Sequence, residues 1–267
     1  MSSVGRRLLQ GLPLIVVGSL MLPSMASAQS RIFLGGNVGG QVPATGDFTQ
    51  TVSTPLRGET ETRTNTYQVP GGAMLDATAG YMFTPWIGAA VAVNRYHSSH
   101  TADYSLTLPH PLVFDQAVTH SGTTTDELDH TERAVHLELV VAPPLHDDSL
   151  SLKFFIGPSR LYVNQTLIED LGITETLTDD GAYDFTIDHV VTGDDSQTCA
   201  CAWGFHVGAD LAKYFTPNVG VGAMFRFERA TVDMKDAAAV AVGQSDATQE
   251  FKAGGVLIGA GIRLRFP

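Results

Sequence analysis

Residues 202–234 read AWGFHVGADLAKYFTPNVGVGAMFRFERATVDM, and the parity of this stretch decides the fold. After the Thr216-Pro217-Asn218 break, Val219, Val221, Ala223, Phe225 and Phe227 alternate with Gly220, Gly222, Met224, Arg226 and Glu228. Before it, Trp203, Phe205, Val207, Ala209 and Leu211 alternate with Ala202, Gly204, His206, Gly208 and Asp210. Side chains two apart in a strand share a face, so each arm has one greasy face and one that is small or ionisable. A soluble sandwich fills its inner face with bulky residues. Here the small and charged face suits a narrow barrel interior, and the greasy face suits lipid.

The same alternation recurs along the chain. Strands are expected at Arg31–Gln41, Gly72–Phe83, from Ile87, at Glu132–Val141, from Leu150, in the two arms above, and at Gln249–Phe266. That makes about eight. Between them lie polar segments near 42–70, 98–131, 164–198 and 235–248, read as long loops. Short turns at Thr84-Pro85, Pro143-Pro144 and Thr216-Pro217 alternate with them. Long connections at one end and short turns at the other are the mark of an outer-membrane barrel. The run Val256–Phe266 spans roughly 36 Å, which a tilt of about 45° reduces to the ~25 Å height of an apolar band. Tyr81, Phe83, Trp86, Tyr214, Phe215 and Phe266 mark one aromatic rim; Trp203, Phe225 and Phe227 mark the other. The turn motifs also echo one another: AGYMFTPWIG at 79–88 resembles LAKYFTPNVG at 211–220.

The first 28 residues read as a cleaved secretion signal, with Arg6 and Arg7, an apolar core and Ala26-Ser27-Ala28 as the cleavage site. Residues 29–267 then form a single barrel domain. Without Arg6 and Arg7, 14 basic residues face 28 acidic ones, which argues against nucleic acid as a partner. No membrane-length apolar run survives beyond the signal, so any span must be β.

The expected interior carries a charge network of Asp76, His136, Glu138, Lys153, His206, Asp210, Arg226, Glu228, Arg263 and Arg265, read as a structural plug. An Arg or Lys turned to lipid at the midplane would cost roughly 2–4 kcal/mol, so the bases should point inward and pair there. Phe225, Phe227, Ile262 and Leu264 should face lipid. Cys199 and Cys201, two apart, sit at the distance limit for a disulfide, which leaves either a strained bridge or two thiols.

Six of nine histidines fall between His97 and His136 (His97, His100, His110, His120, His130, His136), with no ligand spacing that a metal site needs. The acidic segment 164–198 has no Lys or Arg and fails the EF-hand calcium pattern; its Asp179-Asp180-Gly181 reads as a turn between alternating arms. No Gly-x-Ser-x-Gly elbow, His-Glu-x-x-His or P-loop is present, and no cofactor or enzymatic activity is expected.

The stretches GADLAKYFTPNVGVGAMFRF (208–227) and GGVLIGAGIRLRF (254–266) resemble small outer-membrane β-barrel proteins of the opacity and outer-membrane-protein-A-like families. The resemblance is clearest over the last third of the chain. It implies a closed antiparallel up-and-down transmembrane barrel of about eight strands in a Gram-negative-type outer membrane, monomeric and surrounded by lipid and lipopolysaccharide. It further implies that the barrel-assembly machinery reads the terminal strand through Phe266. In this chain Pro267 follows Phe266, a departure from the family's terminal aromatic. The resulting expectation is a non-enzymatic barrel with a structural role and a surface-interaction role carried by its loops, for a loop ligand the sequence does not name. A narrow porin-like channel and a lipid-modifying enzyme are the alternatives.

Overall fold

The computed structural model describes residues 31–44, 46–179, 181–194, 200–235 and 248–267. The expected signal peptide, Cys199 of the expected cysteine pair and most of the 235–248 segment lie outside the described residues. Strands run β1 Ile32–Pro43, β2 Asp47–Leu56, β3 Glu59–Gln68, β4 Gly72–Met82, β5 Ile87–His100, β6 Ala102–Pro109 and β7 Ala117–Thr123. They continue with β8 Leu128–Val141, β9 Leu150–Leu177, β10 Tyr183–Asp194, β11 Ala200–Tyr214, β12 Val219–Lys235 and β13 Thr248–Phe266.

Eight of these form a closed ring in the order β1-β4-β5-β8-β9-β11-β12-β13, and β13 pairs back onto β1. Every ring contact is antiparallel. The closing ladder sets Ile32 opposite Phe266 and Gly36 opposite Ile262. Closure leaves no open edge, which is the condition for crossing lipid with strands. One ladder is interrupted: β8–β9 pairing stops at His136–Ser159 and resumes at Leu139–Ile156, where Pro158 has no N–H to contribute.

Each ring strand presents a large apolar side chain to the outside: Val38, Leu75, Val91, Leu137, Ile156, Val207, Phe225 and Ile258. On β12 Phe225 is 47% exposed while the next residue, Arg226, is 1% exposed. Charge inside and grease outside invert the economy of a water-soluble core, and make this a membrane-spanning barrel of the kind built into Gram-negative outer membranes.

The two Thr-Pro turns are built alike. Phe83 and Thr84 donate their N–H groups to the Ile87 carbonyl, and Thr84 Oγ1 accepts from the N–H of Trp86 and Ile87. Phe215, Thr216, Asn218 and Val219 repeat every one of these bonds. The shared sequence is therefore shared turn chemistry, with the threonine hydroxyl capping the backbone.

At the opposite end the expected loops are corrected. Segments 42–70, 98–131 and 164–194 are largely strands. β2-β3-β6-β7 form a second sheet, and β10 pairs with the outer half of β9. Phe48, Tyr67, Leu106, Leu108, Leu167, Ile168, Phe185 and Phe251 pack into a buried core there. At ~3.3 Å per residue, the 28 residues of β9 extend about 90 Å, from the turn end through the barrel into this head. Two features hid these strands. Their outward positions are threonines that pair across the ladder, as Thr49–Thr66 and Thr107–Thr119 do, so they read as polar loop. Their inward positions mix Phe48, Val52 and Tyr67 with Gln50, Asn65 and Arg63, which blurs the alternation.

β9 and β10 are joined where the sequence expects a turn, with Gly181 at φ +84°; Asp180 of the expected turn lies outside the described residues. Gly254 is required by its conformation: φ is +92°, and a Cβ there would lie 2.4 Å from the Glu228 carbonyl oxygen.

Candidate functional site

The lumen is filled by polar groups in three tiers. The middle tier draws side chains from seven of the eight ring strands. Arg226 donates from Nη1 to Asp76 Oδ2 at 2.6 Å and from Nη2 to Glu138 Oε1 at 2.8 Å, with its guanidinium 5.1 Å from the Phe155 ring centre. Asn37 Nδ2 donates to Asp76 at 2.7 Å, and Asn94 Nδ2 donates to Glu228 at 2.9 Å. Glu228 in turn lies 3.2 Å from His136 Nε2.

Ser159 Oγ sits 2.8 Å from Nδ1 of both His136 and His206, whose rings stand edge to face 4.6 Å apart. One hydroxyl proton cannot serve two acceptors, so at least one imidazole carries its proton on Nδ1. Ser159, His136 and Glu228 have the residue types of a nucleophile, base and orienting acid. All three are at most 1% exposed. The arrangement binds strands together and is sealed from both solvent and lipid.

The outer tier lies just beneath the head. Glu132 accepts from Gln41 Nε2 at 2.8 Å and from the Gly254 N–H at 3.0 Å, and lies 3.1 Å from His130 Nε2; His130 Nδ1 meets Gln165 at 2.6 Å. His100 lies beside it on the external extension of β5. Burial pulls its imidazole down to about 4, the neighbouring His130 adds to the effect and Asp129 opposes it. A folded-state value below the unfolded ~6.5 means the unfolded chain takes up the proton first. The stabilising contribution is complete above pH 6.5 and is lost as pH falls towards 4. Urea titrations at pH 7 and pH 4 should show a larger acid loss in the wild type than in His100→Asn. Equal losses would remove His100 from the acid response.

The inner tier holds Arg263, whose Nε donates to Asp210 Oδ2 at 2.6 Å. Below it Lys153 sits 4.0 Å from the Phe33 ring centre, and Arg265 stacks 3.9 Å from that of Tyr214.

All ten residues of the lumen set expected from the sequence line the interior: Asp76, His136, Glu138, His206, Arg226 and Glu228 form one linked group in the middle, and below it Arg263 pairs with Asp210 while Lys153 and Arg265 rest on the Phe33 and Tyr214 rings. Sequence reasoning missed Asn37, Asn94 and Ser159, and the whole outer tier of Gln41, His130, Glu132 and Gln165. Their inward parity was the available signal. Of the cysteine pair, Cys201 Sγ lies 2.8 Å from Arg160 Nη2.

The head's outer tip is a second feature. Three hairpin ends meet there. Arg57 (φ +56°) and Gly58 (φ +84°) turn β2 into β3; Arg57 donates to the Pro109 carbonyl at 3.1 Å and pairs with Glu175. In the β6–β7 connection, His110 Nδ1 accepts the N–H groups of Leu112 and Val113, both at 3.1 Å, while its Nε2 donates to the Gly181 carbonyl at 3.2 Å. Asp115, at φ +59°, donates its N–H to Glu59 at 2.6 Å. This scaffold displays Leu112 and Phe114, each 71% exposed, with Val113 between them.

Elsewhere in the head His120 pairs with Asp184 at 2.8 Å and Asp170 with Arg63 at 3.5 Å. The His120 hydrogen bond holds the exposed Asp184 carboxyl below its usual range. Among the described residues no three His, Cys, Asp or Glu side chains converge on a metal position.

No protein-family profile matches the chain, and no curated protein matches it by sequence. Solved structures resemble it in shape. The outer membrane protein OprG from Pseudomonas aeruginosa aligns at TM-score 0.45 and 10% identity, over 90% of this chain and 97% of that one. Neisserial surface protein A aligns at 0.43 and 12%, over 90% and 100%. The outer membrane protease OmpT from Escherichia coli aligns at 0.44 and 11%, over 91% and 99%. The barrel itself is established by its own strand pairing.

Proposed function

We propose that this is a non-enzymatic, monomeric outer-membrane barrel that holds a folded β head at the cell surface for contact with a macromolecular partner. The observation that carries the reading is the exposed apolar knuckle Leu112-Val113-Phe114, braced among the hairpin ends of the head by hydrogen bonds of His110, Arg57 and Glu59. Exposed apolar side chains on a braced loop are a recognition feature, because ordering them costs little when they bind. The surroundings are acidic. Segments 44–71, 101–127 and 166–194 contain only two bases, Arg57 and Arg63, and both are ion-paired. The fitting partner therefore offers an apolar pocket with a basic rim. Lipid and lipopolysaccharide contact the belt, and the assembly machinery reads the strand ending in Phe266. The tiers of the lumen support a sealed interior over a porin-like channel, and the closed setting of Ser159 argues against lipid modification there.

The test uses whole cells displaying the protein. The double variant Leu112→Ser/Phe114→Ser should lose most adhesion to any surface the wild type binds, while its folded mobility on unheated gels stays the same. Undiminished adhesion by the folded variant would remove the knuckle from the contact.

A further inference from the structure

The turn end of the barrel, the end that outer-membrane barrels present to the periplasm, opens into a cavity of about 550 Å³. That lies within the ~300–1,000 Å³ range of small-molecule sites. Arg31, Lys153 and Arg265 line it, against one acidic residue, Asp148. A protein of formal charge −12 thus gathers cations around its inner mouth.

Among the described residues none of the three cations makes an ion pair. Arg265 is anchored by donation from Nε to the Pro217 carbonyl at 2.7 Å and lies on Tyr214, leaving Nη1 and Nη2 only long contacts of 3.5 and 3.4 Å to the Asp148 carbonyl. Arg31 donates to the Tyr81 hydroxyl at 3.2 Å, which takes no charge from it. Lys153 faces Asp210 across the β9–β11 ladder, where Asp210 Oδ2 accepts from Arg263 Nε and Asp210 Oδ1 has no hydrogen-bond partner. Among the described residues the Lys153 ammonium makes no ion pair and rests on the Phe33 ring. Phe33, Met82 and Tyr214 give the cavity an apolar wall beside these charges.

We propose that this cavity binds a small amphipathic anion, a carboxylate or phosphate monoester carrying a short apolar group. The anionic head sits between Lys153 and Arg265, and the apolar part lies against Phe33, Met82 and Tyr214. Charge-assisted bonds in a partly enclosed mouth supply the specificity. The site lies at the opposite end from the knuckle and does not depend on the surface-contact reading. A soluble anion or an anionic lipid headgroup would present the same chemistry.

The test places the full protein in nanodiscs of zwitterionic lipid and titrates hexanoate, hexyl phosphate and hexyltrimethylammonium by calorimetry, with empty discs subtracted. The first two should bind saturably and the cation should not. Lys153→Met should weaken hexyl phosphate binding at least tenfold. Ser151→Glu, which adds a carboxylate to the cavity lining, should do the same without removing a cation, and Leu112→Ser/Phe114→Ser should change nothing. Equal binding of the cationic probe, or full affinity in folded Lys153→Met and Ser151→Glu, would overturn the proposal. Adding anionic phosphatidylglycerol to the discs separates the sources. Competition assigns the site to a lipid headgroup, and unchanged affinity assigns it to a soluble anion.

Discussion

Replacing Arg226 by methionine is expected to cost about 3–5 kcal/mol of folding stability, the usual loss when one partner of a buried ion pair is removed. Arg226 is 1% exposed and holds both Asp76 and Glu138 within 2.8 Å. Without it two carboxylates remain in a closed interior with no cation between them. The cost should belong to the stranded acids rather than to lost packing, since methionine keeps much of the side-chain volume. The triple variant Arg226→Met/Asp76→Asn/Glu138→Gln should therefore recover most of the loss. Urea unfolding in lipid vesicles, followed through Trp86 and Trp203, measures both. A single variant as stable as wild type would mean that water reaches the middle tier.

Phe251→Ala should unfold the head while leaving the barrel intact. Phe251 is 1% exposed, stands edge to face against Phe48 with ring centres 5.6 Å apart, and lies equally close to His130. Truncating a core phenylalanine costs about 3–5 kcal/mol. The loss falls on the head, because its core is separate from the cluster of Phe33, Met74 and Leu257 in the barrel. On intact cells the variant should gain protease cleavage between residues 47 and 123, yet keep a folded barrel on unheated gels. Equal protease resistance in variant and wild type would show that the head does not rely on this core.

These two variants mark where the sequence was legible and where it was not. Barrel facing could be read from Phe225 and Arg226 alone, because lipid penalises a charge so heavily that only one register is tolerable. The turns could be read from Thr-Pro repeats that fix their own hydrogen bonds. The head could not be read, because water accepts either face of a threonine-rich strand. Thr49, Thr51, Thr64 and Thr66 carry no sign of which neighbours lie inward. The lumen set was found through its charges, whereas Asn37, Asn94 and Ser159 are small, neutral and common in loops. Their role depends on which strands meet across the barrel, and single-strand periodicity does not hold that information. The knuckle was hidden for a related reason: Leu112-Val113-Phe114 becomes notable only once His110 is seen to brace it from Gly181, 71 residues away.

A lipid-embedded barrel closed by its own side chains should not conduct, and planar bilayers provide the measurement. Purified wild-type protein should insert and give no steady channel current at neutral pH. Arg226→Gly/Glu138→Gly, which removes two large side chains from the middle tier, should raise conductance in whatever fraction folds. Discrete, ohmic openings of the wild-type protein would contradict the sealed lumen and establish a channel.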